Sequence, residues 1–149
     1  NEASLSYVLM KQKACSELGI KTKIHHFPNN SSQNQLIQTI QSMNQDPTIH
    51  GILIQLPLPE HIHADTVLNS VAYEKDVDGF HIMNAGKLFQ KKDYLFSPCT
   101  PKGCIELLDH YNIEVKGMNI TIIGCSNIVG LPLNQVYGSF NSIGYFNEK

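Results

Sequence analysis

Three features of the chain predict an α/β fold. Short apolar runs alternate with amphipathic stretches, turn clusters separate them, and a β-branched run near residue 120 leads into a glycine-rich turn. The expected architecture is an αβ-alternating domain with a mostly parallel sheet over residues 1–97. The start of a second α/β unit follows over 98–149. Helices between successive strands serve as the crossovers that a parallel sheet needs.

The elements follow in order. Ser4 is placed to cap a helix running to about Leu18, with Gly19 as its stop; Leu5, Val8, Leu9 and Cys15 have helical spacing. Lys23 to Phe27 reads as a short strand, closed by the turn cluster Pro28-Asn29-Asn30-Ser31-Ser32. Gln33 to Asn44 reads as a second helix with Leu36, Ile37, Ile40 and Met43 along one face. Gly51 to Gln55 is a continuous apolar run of strand length, and Ala64 to Ser70 a short helix. Val77 to Ser97 is rich in Gly, Asn and Lys, lacks strong periodicity and reads as the bridge between domains. Thr100-Pro101 suits a helix start, with Thr as cap and Pro at the first helical position, and that helix ends near Tyr111. Asn119 to Ile123 is the first strand of the second unit, and Gly124 to Gly130 the turn after it.

Composition removes several function classes. The chain has 149 residues, 42% of them hydrophobic, enough for one ordinary core. Eleven basic against 13 acidic residues leave a net charge of -2, which gives no nucleic-acid footprint. No apolar stretch approaches the roughly 20 residues of a membrane span. The start at Asn1 without Met, and with no signal peptide, suggests a fragment. Cys15, Cys99, Cys104 and Cys125 form no C-x-x-C pair and read as reduced thiols in a reducing, cytoplasmic compartment. His25, His26, His61 and His63 lie in strand-end and loop segments without converging ligands, so no metal site is expected.

Several polar groups stand where a core would not want them. Gln55 puts an amide at the carboxyl end of the Gly51–Gln55 strand, where α/β sheets bind ligands. Pro57 and Pro59 then remove two backbone donors, so the segment is either a rigid exit or the wall of a site. Tyr7 and Lys11 are four apart and project from one helix face. A ring can stack on a flat ligand, and an amine whose proton affinity a buried site can tune serves as acid or base. The same spacing also describes a solvated lysine beside a half-buried tyrosine. Asp78, between Val77 and Gly79, suits the paired N–H edge of a pterin or guanine ring, or else bonds its own backbone in an Asx turn. Gly124-Cys125-Ser126-Asn127-Ile128-Val129-Gly130 follows a strand and precedes a possible helix, an arrangement that lets backbone approach a pyrophosphate. Its spacing is not G-x-G-x-x-G.

Together these segments resemble the bifunctional methylenetetrahydrofolate dehydrogenase/methenyltetrahydrofolate cyclohydrolase family. The matching blocks are A-S-x-x-Y-V-x-x-K at 3–11, G-I-L-I-Q-L-P-L-P-E-H-I at 51–62 and K-D-V-D-G-F-H at 75–81. N-A-G-K-L at 84–88, P-C-T-P-K-G at 98–103 and S-N-I-V-G-x-P at 126–132 follow in family order. The resemblance implies a folate-binding catalytic domain over 1–97 and an incomplete Rossmann-like NAD(P)-binding domain over 98–149. It implies oxidation of 5,10-methylenetetrahydrofolate to the methenyl form with NAD(P)+, then hydrolysis to 10-formyltetrahydrofolate. By motif position, Lys11 is the acid/base residue of the hydrolytic step and Tyr7 stacks on the folate and positions Lys11. Gln55 tunes Lys11, Asp78 holds the pterin edge, and Leu56 and Pro57 shape the cleft. Gly124, Cys125, Ser126, Ile128 and Gly130 are the implied cofactor contacts, and a homodimer is the implied assembly.

Three departures qualify that pattern. Cys125 stands where family members have Arg, and a thiol cannot grip a 2′-phosphate, so NADP is the family expectation while NAD becomes plausible. Asn134-Gln135-Val136-Tyr137-Gly138-Ser139-Phe140 looks unlike the expected apolar helix and strand. The family's first strand and its C-terminal Gly/Pro-rich segment have no counterpart. A non-catalytic folate-binding module or decayed homologue is therefore the alternative reading. A short-chain dehydrogenase would also carry Tyr-x-x-x-Lys, but there the glycine-rich turn precedes that pair, the reverse of the order here.

Overall fold

The computed structural model describes residues 2–137 and 142–146. Helix α1 spans Glu2–Glu17, so Ser4 lies inside its first turn rather than at the cap. Its end is the one expected. Gly19 takes a φ of +73°, its N–H donates to Ser16 O at 3.1 Å, and Ile20 N–H donates to Cys15 O at 2.8 Å. This paired closure needs a left-handed residue, which glycine supplies without strain.

Helix α2, Gln33–Gln45, starts on a reciprocal capping box: Ser32 Oγ accepts from Gln35 N–H, and Gln35 Oε1 accepts from Ser32 N–H at 2.9 Å. Leu36 and Ile40 are its buried residues. They join Ile52, Ile62, Val67 and Val71 in one core, with Phe27, Met43, Ile49, Ile54 and Leu58 packed around it. Each such side chain contributes roughly 1.5–3 kcal/mol when fully buried. Helix α3, Ala64–Leu68, is shorter than expected and sends Val67 into this core.

The first part of the chain is less strand-like than its composition suggests. Lys23–Phe27 forms no ladder, and Gly51–Gln55 makes one parallel bridge, Ile52 to Asp76, with Ile52 N–H donating to Lys75 O at 2.7 Å. Propensity without a neighbouring strand leaves extended chain, not sheet. Lys75 instead ends α2: its Nζ donates to the carbonyls of Met43, Asn44 and Asp46 at 2.7–2.9 Å.

The stretch read as an irregular bridge contains helix α4, Ile82–Phe89, opened by His81 Nδ1 accepting from Met83 N–H at 3.0 Å. Asn84 and Gly86 are poor helix formers and hid it. Helix α5 spans Cys99–His110 with Pro98, not Thr100, at the cap and Tyr111 at the other end. Strand β1, Asn119–Ile123, is as expected. Beyond it lies a further correction: helix α6, Gly130–Tyr137, carries the chain through Asn134 and Gln135 despite their polarity. Strand β2, Ser142–Phe146, then pairs with β1 in parallel, Asn119 opposite Ser142 and Ile123 opposite Phe146. The β1-α6-β2 unit thus continues the α/β pattern past Leu133. Gly138, Ser139 and Phe140 lie outside the described residues, as do 147–149. Among the described residues no helix is long and apolar enough to cross a membrane.

Candidate functional site

Tyr7 and Lys11 lie one turn apart on α1, and the Lys11 ammonium sits 5.0 Å from the centroid of the Tyr7 ring. Tyr7 as a residue is 52% exposed. From the extended segment that starts at Gly51, Gln55 comes to meet this pair: Lys11 Nζ donates to Gln55 Oε1 at 3.4 Å. The Gln55 amide is fixed at its other end, where Nε2 donates to Leu56 O at 2.8 Å. Leu56 is half-buried, Pro57 is exposed, and the peptide bond between them is cis.

Asp78 completes the group. It is the third residue of the turn Asp76-Val77-Asp78-Gly79, closed by Gly79 N–H donating to Asp76 O at 3.2 Å, with Gly79 at a φ of +70°. Burial pushes the Asp78 carboxyl upward from its ordinary value. The Lys11 charge and a hydrogen bond with Cys99 draw it back, while Asp76 adds to the rise. The Lys11 effect places the two side chains within electrostatic reach of one another. The sequence-predicted Tyr7, Lys11 and Gln55 therefore meet, and the turn that carries Asp78 is tied to the Gln55 segment by the Ile52–Asp76 bridge.

Cys99 belongs to the same cluster and was not singled out by sequence reasoning. Its Sγ donates to Val77 O at 3.6 Å and also faces the Asp78 carboxylate. Burial raises the thiol, and the Asp78 charge and hydrogen bond raise it further, with Lys11 and Lys102 opposing. Backbone packing brings it there. A Cβ on Gly79 would stand 2.8 Å from Phe96 O and Ser97 C, so glycine alone lets the segment entering α5 pass so close. A Cβ at Gly51 would likewise press on Val77, which fixes the Asp78 turn against the segment that carries Gln55. The P-C-T-P block was the signal available in sequence.

Chemically, the cluster offers a stacking face, an amine held by an amide, and a carboxylate kept partly from water. A flat heterocycle with an N–H edge suits it, and the amine is placed for proton transfer.

The Gly124–Gly130 turn leads from β1 into α6. Gly124 takes a φ of +102° with open space where a Cβ would stand, and a Cβ at Gly130 would collide with Gly124 O. Ser126 caps the start of α6: its Oγ accepts from Val129 N–H at 3.2 Å and its carbonyl from Leu131 N–H at 3.1 Å. Cys125 and Ile128 are half-buried in the turn. Bare backbone at the start of an eight-residue helix fits a pyrophosphate. Among the described residues no His/Cys/Asp/Glu cluster could hold a metal ion.

Comparison with known proteins adds a second line. The family model described as tetrahydrofolate dehydrogenase/cyclohydrolase, catalytic domain, matches residues 1–78. Its companion, the NAD(P)-binding domain, matches residues 98–143. The chain is 51% identical over 131 residues to the bifunctional protein FolD of Nitratiruptor sp., covering 88% of this chain and 46% of that protein. It is 51% identical over 130 residues to the chloroplastic bifunctional protein FolD 4 of Arabidopsis thaliana, covering 87% of this chain and 36% of that one. The crystal structure of FolD methylenetetrahydrofolate dehydrogenase/cyclohydrolase from Campylobacter jejuni superposes with a TM-score of 0.91 at 44% identity. It covers 100% of this chain and 54% of that chain. The Trypanosoma brucei enzyme, solved with NADP and an inhibitor, gives 0.89 at 28% identity, covering 97% of this chain and 50% of that one. The chain spans less than half the length of these curated relatives.

Proposed function

This chain belongs to the tetrahydrofolate dehydrogenase/cyclohydrolase family, and from that premise we propose that it acts in one-carbon folate metabolism. The reactions are oxidation of 5,10-methylenetetrahydrofolate to the methenyl form with NAD(P)+ and hydrolysis of that product to 10-formyltetrahydrofolate. The observation that carries the reading is the meeting of Lys11 with Gln55 beside the Tyr7 ring and the Asp78 turn.

Each side chain has a task in this reading. Tyr7 stacks on the folate ring system, and Leu56 and Pro57 wall the cleft. Asp78 accepts from the N–H edge of the pterin, a charge-assisted pair that orients the ring. Lys11 moves the proton as water adds to the methenyl carbon, with Gln55 Oε1 holding its Nζ in place. NAD(P) supplies hydride acceptance when bound. Gly124, Cys125, Ser126, Ile128 and Gly130 would hold it, the backbone of the turn taking the pyrophosphate. NADP follows the family pattern, whereas Cys125 in place of Arg favours tolerance of NAD. The folate unit occupies residues 1–97 and the cofactor unit 98–149. The assembly is a homodimer in the cytoplasm.

Hydrolysis of 5,10-methenyltetrahydrofolate needs no nicotinamide, so loss of the methenyl absorbance on adding this chain alone tests the core of the proposal. Adding methylenetetrahydrofolate with NADP or NAD tests the oxidation. Folate binding with neither absorbance change would identify a non-catalytic folate-binding module instead.

A further inference from the structure

Asp76 has no part in the chemistry above, yet it is a buried carboxylate, 5% exposed, two residues before Asp78. Its Oδ2 accepts from His81 N–H at 2.8 Å and from Asn84 Nδ2 at 3.0 Å. Its carbonyl accepts from Gly79 N–H and closes the turn that presents Asp78. Its backbone also bridges Ile52, on the segment that runs on to Gln55. One residue therefore ties together the Asp78 turn, the Gln55 segment and the first turn of α4.

Asn84 strengthens the case. It is fully buried, and its amide group spends both hydrogens, on Tyr73 O and on Asp76 Oδ2, each at 3.0 Å. Both partners are acceptors, which fixes the amide orientation. Its Oδ1 then has no hydrogen-bond partner among the described residues. An orphaned buried oxygen is unfavourable, and an apolar residue would avoid it. The bonds from Nδ2 are what the asparagine provides in return.

Resting on the folate reading above, we infer that Asp76, gripped by Asn84, is a positioning residue that holds the Asp78 turn against Lys11 and Gln55. It touches no substrate. Its contribution is the fixed aim of the Asp78 carboxylate.

The test compares Asp76→Ala, Asp76→Asn and Asn84→Leu for folded fraction, folate affinity and turnover of 5,10-methenyltetrahydrofolate. In the folded fraction, Asp76→Ala loses both hydrogen bonds to its carboxylate, binds folate about tenfold or more less well and turns over methenyltetrahydrofolate correspondingly less. Asp76→Asn recovers most of that loss, because both bonds end on one oxygen that an amide can replace. A purely structural role would lower the melting temperature of Asp76→Ala and leave its affinity and turnover unchanged, and that result overturns the inference. So does an Asp76→Asn protein as impaired as Asp76→Ala. Should Asp76→Ala fail to fold, Asn84→Leu decides: a loss of about threefold or more supports the role, and wild-type values refute it. If the unaltered chain neither binds nor hydrolyses methenyltetrahydrofolate, the folate reading fails. The anchoring is then read from amide exchange at Gly79 and His81, which slows in the unaltered chain relative to the variants; equal exchange refutes it.

Discussion

Lys11 Nζ lies 3.4 Å from Gln55 Oε1, a contact between residues 44 positions apart in the chain. Neither side chain has reason to sit there for packing alone, since the amine is beside a ring face and the amide is held by Leu56 O. In the proposed function, this pairing makes Lys11 the group on which hydrolysis depends. Lys11→Met keeps the aliphatic stem and removes the proton carrier, so turnover of methenyltetrahydrofolate should fall by roughly 10²–10⁴. Folate affinity, which the proposed function assigns to Tyr7 and Asp78, should change far less. Stopped assays and a binding titration on the same preparation check both halves, and undiminished turnover would remove Lys11 from its role.

Asp78 sets stability against binding. Burial, the largest influence, raises its carboxyl in the folded chain. The folded state therefore holds the proton more tightly than the unfolded state does. The stabilising contribution is present at acid pH and is lost as pH rises through the raised folded value, so the ionised form opposes folding at neutrality. Asp78→Asn should thus melt higher than the parent at pH 7, with the gap closing as pH falls below the ordinary carboxylate range. Folate affinity should fall about ten- to a hundredfold with loss of a charged hydrogen-bond acceptor. A melting series from pH 4 to pH 8 tests the sign; a gap that ignores pH would refute it.

How much of this was legible in the chain depends on whether the signal was local. The capping box at Ser32 and Gln35 and the Leu36–Ile40 face are local, and α2 was read nearly to its ends. Gly19 as the stop of α1 is local too. Helix α4 was hidden because its centre is Asn84, whose reason for being there is a bond to Asp76 eight residues earlier. Helix α6 does not stand out in sequence because Gly138 and the polar Asn134 and Gln135 occupy positions where an apolar helix face is expected, while β1 and β2 on either side supply the tertiary context. The strand expected at Lys23–Phe27 failed for the converse reason: β propensity needs a partner. In the site, four residues were recognisable by block, but Cys99 was not. Its meaning comes from Asp78, across a close passage that only Gly79 permits.

The Cys99 thiol follows from the same arithmetic of charge. Burial and the neighbouring Asp78 carboxylate raise it, so at neutral pH it stays protonated and alkylates slowly despite its exposure. Iodoacetamide labelling followed by peptide mapping should show Cys99 lagging a free thiol at pH 7 and catching up at alkaline pH. Asp78→Asn removes one of the two named causes and should speed labelling at pH 7. An unchanged rate in that variant would mean that the carboxylate does not govern the thiol.

The cofactor turn yields the sharpest substitution. Gly124 and Gly130 leave backbone bare at the start of α6, and Ser126 is already engaged as its cap, accepting from Val129 N–H at 3.2 Å. On the proposed function, the position that distinguishes cofactors is Cys125, half-buried in the same turn and unable to pair with a phosphate. A guanidinium there offers a bidentate grip on a 2′-phosphate and nothing comparable to a bare ribose hydroxyl. Cys125→Arg should raise the affinity for NADP relative to NAD by about tenfold or more. Direct titration of both dinucleotides against both proteins reads the ratio without depending on turnover. A ratio that stays put would show that this turn does not meet the adenosine ribose, and would return the choice of cofactor to residues elsewhere.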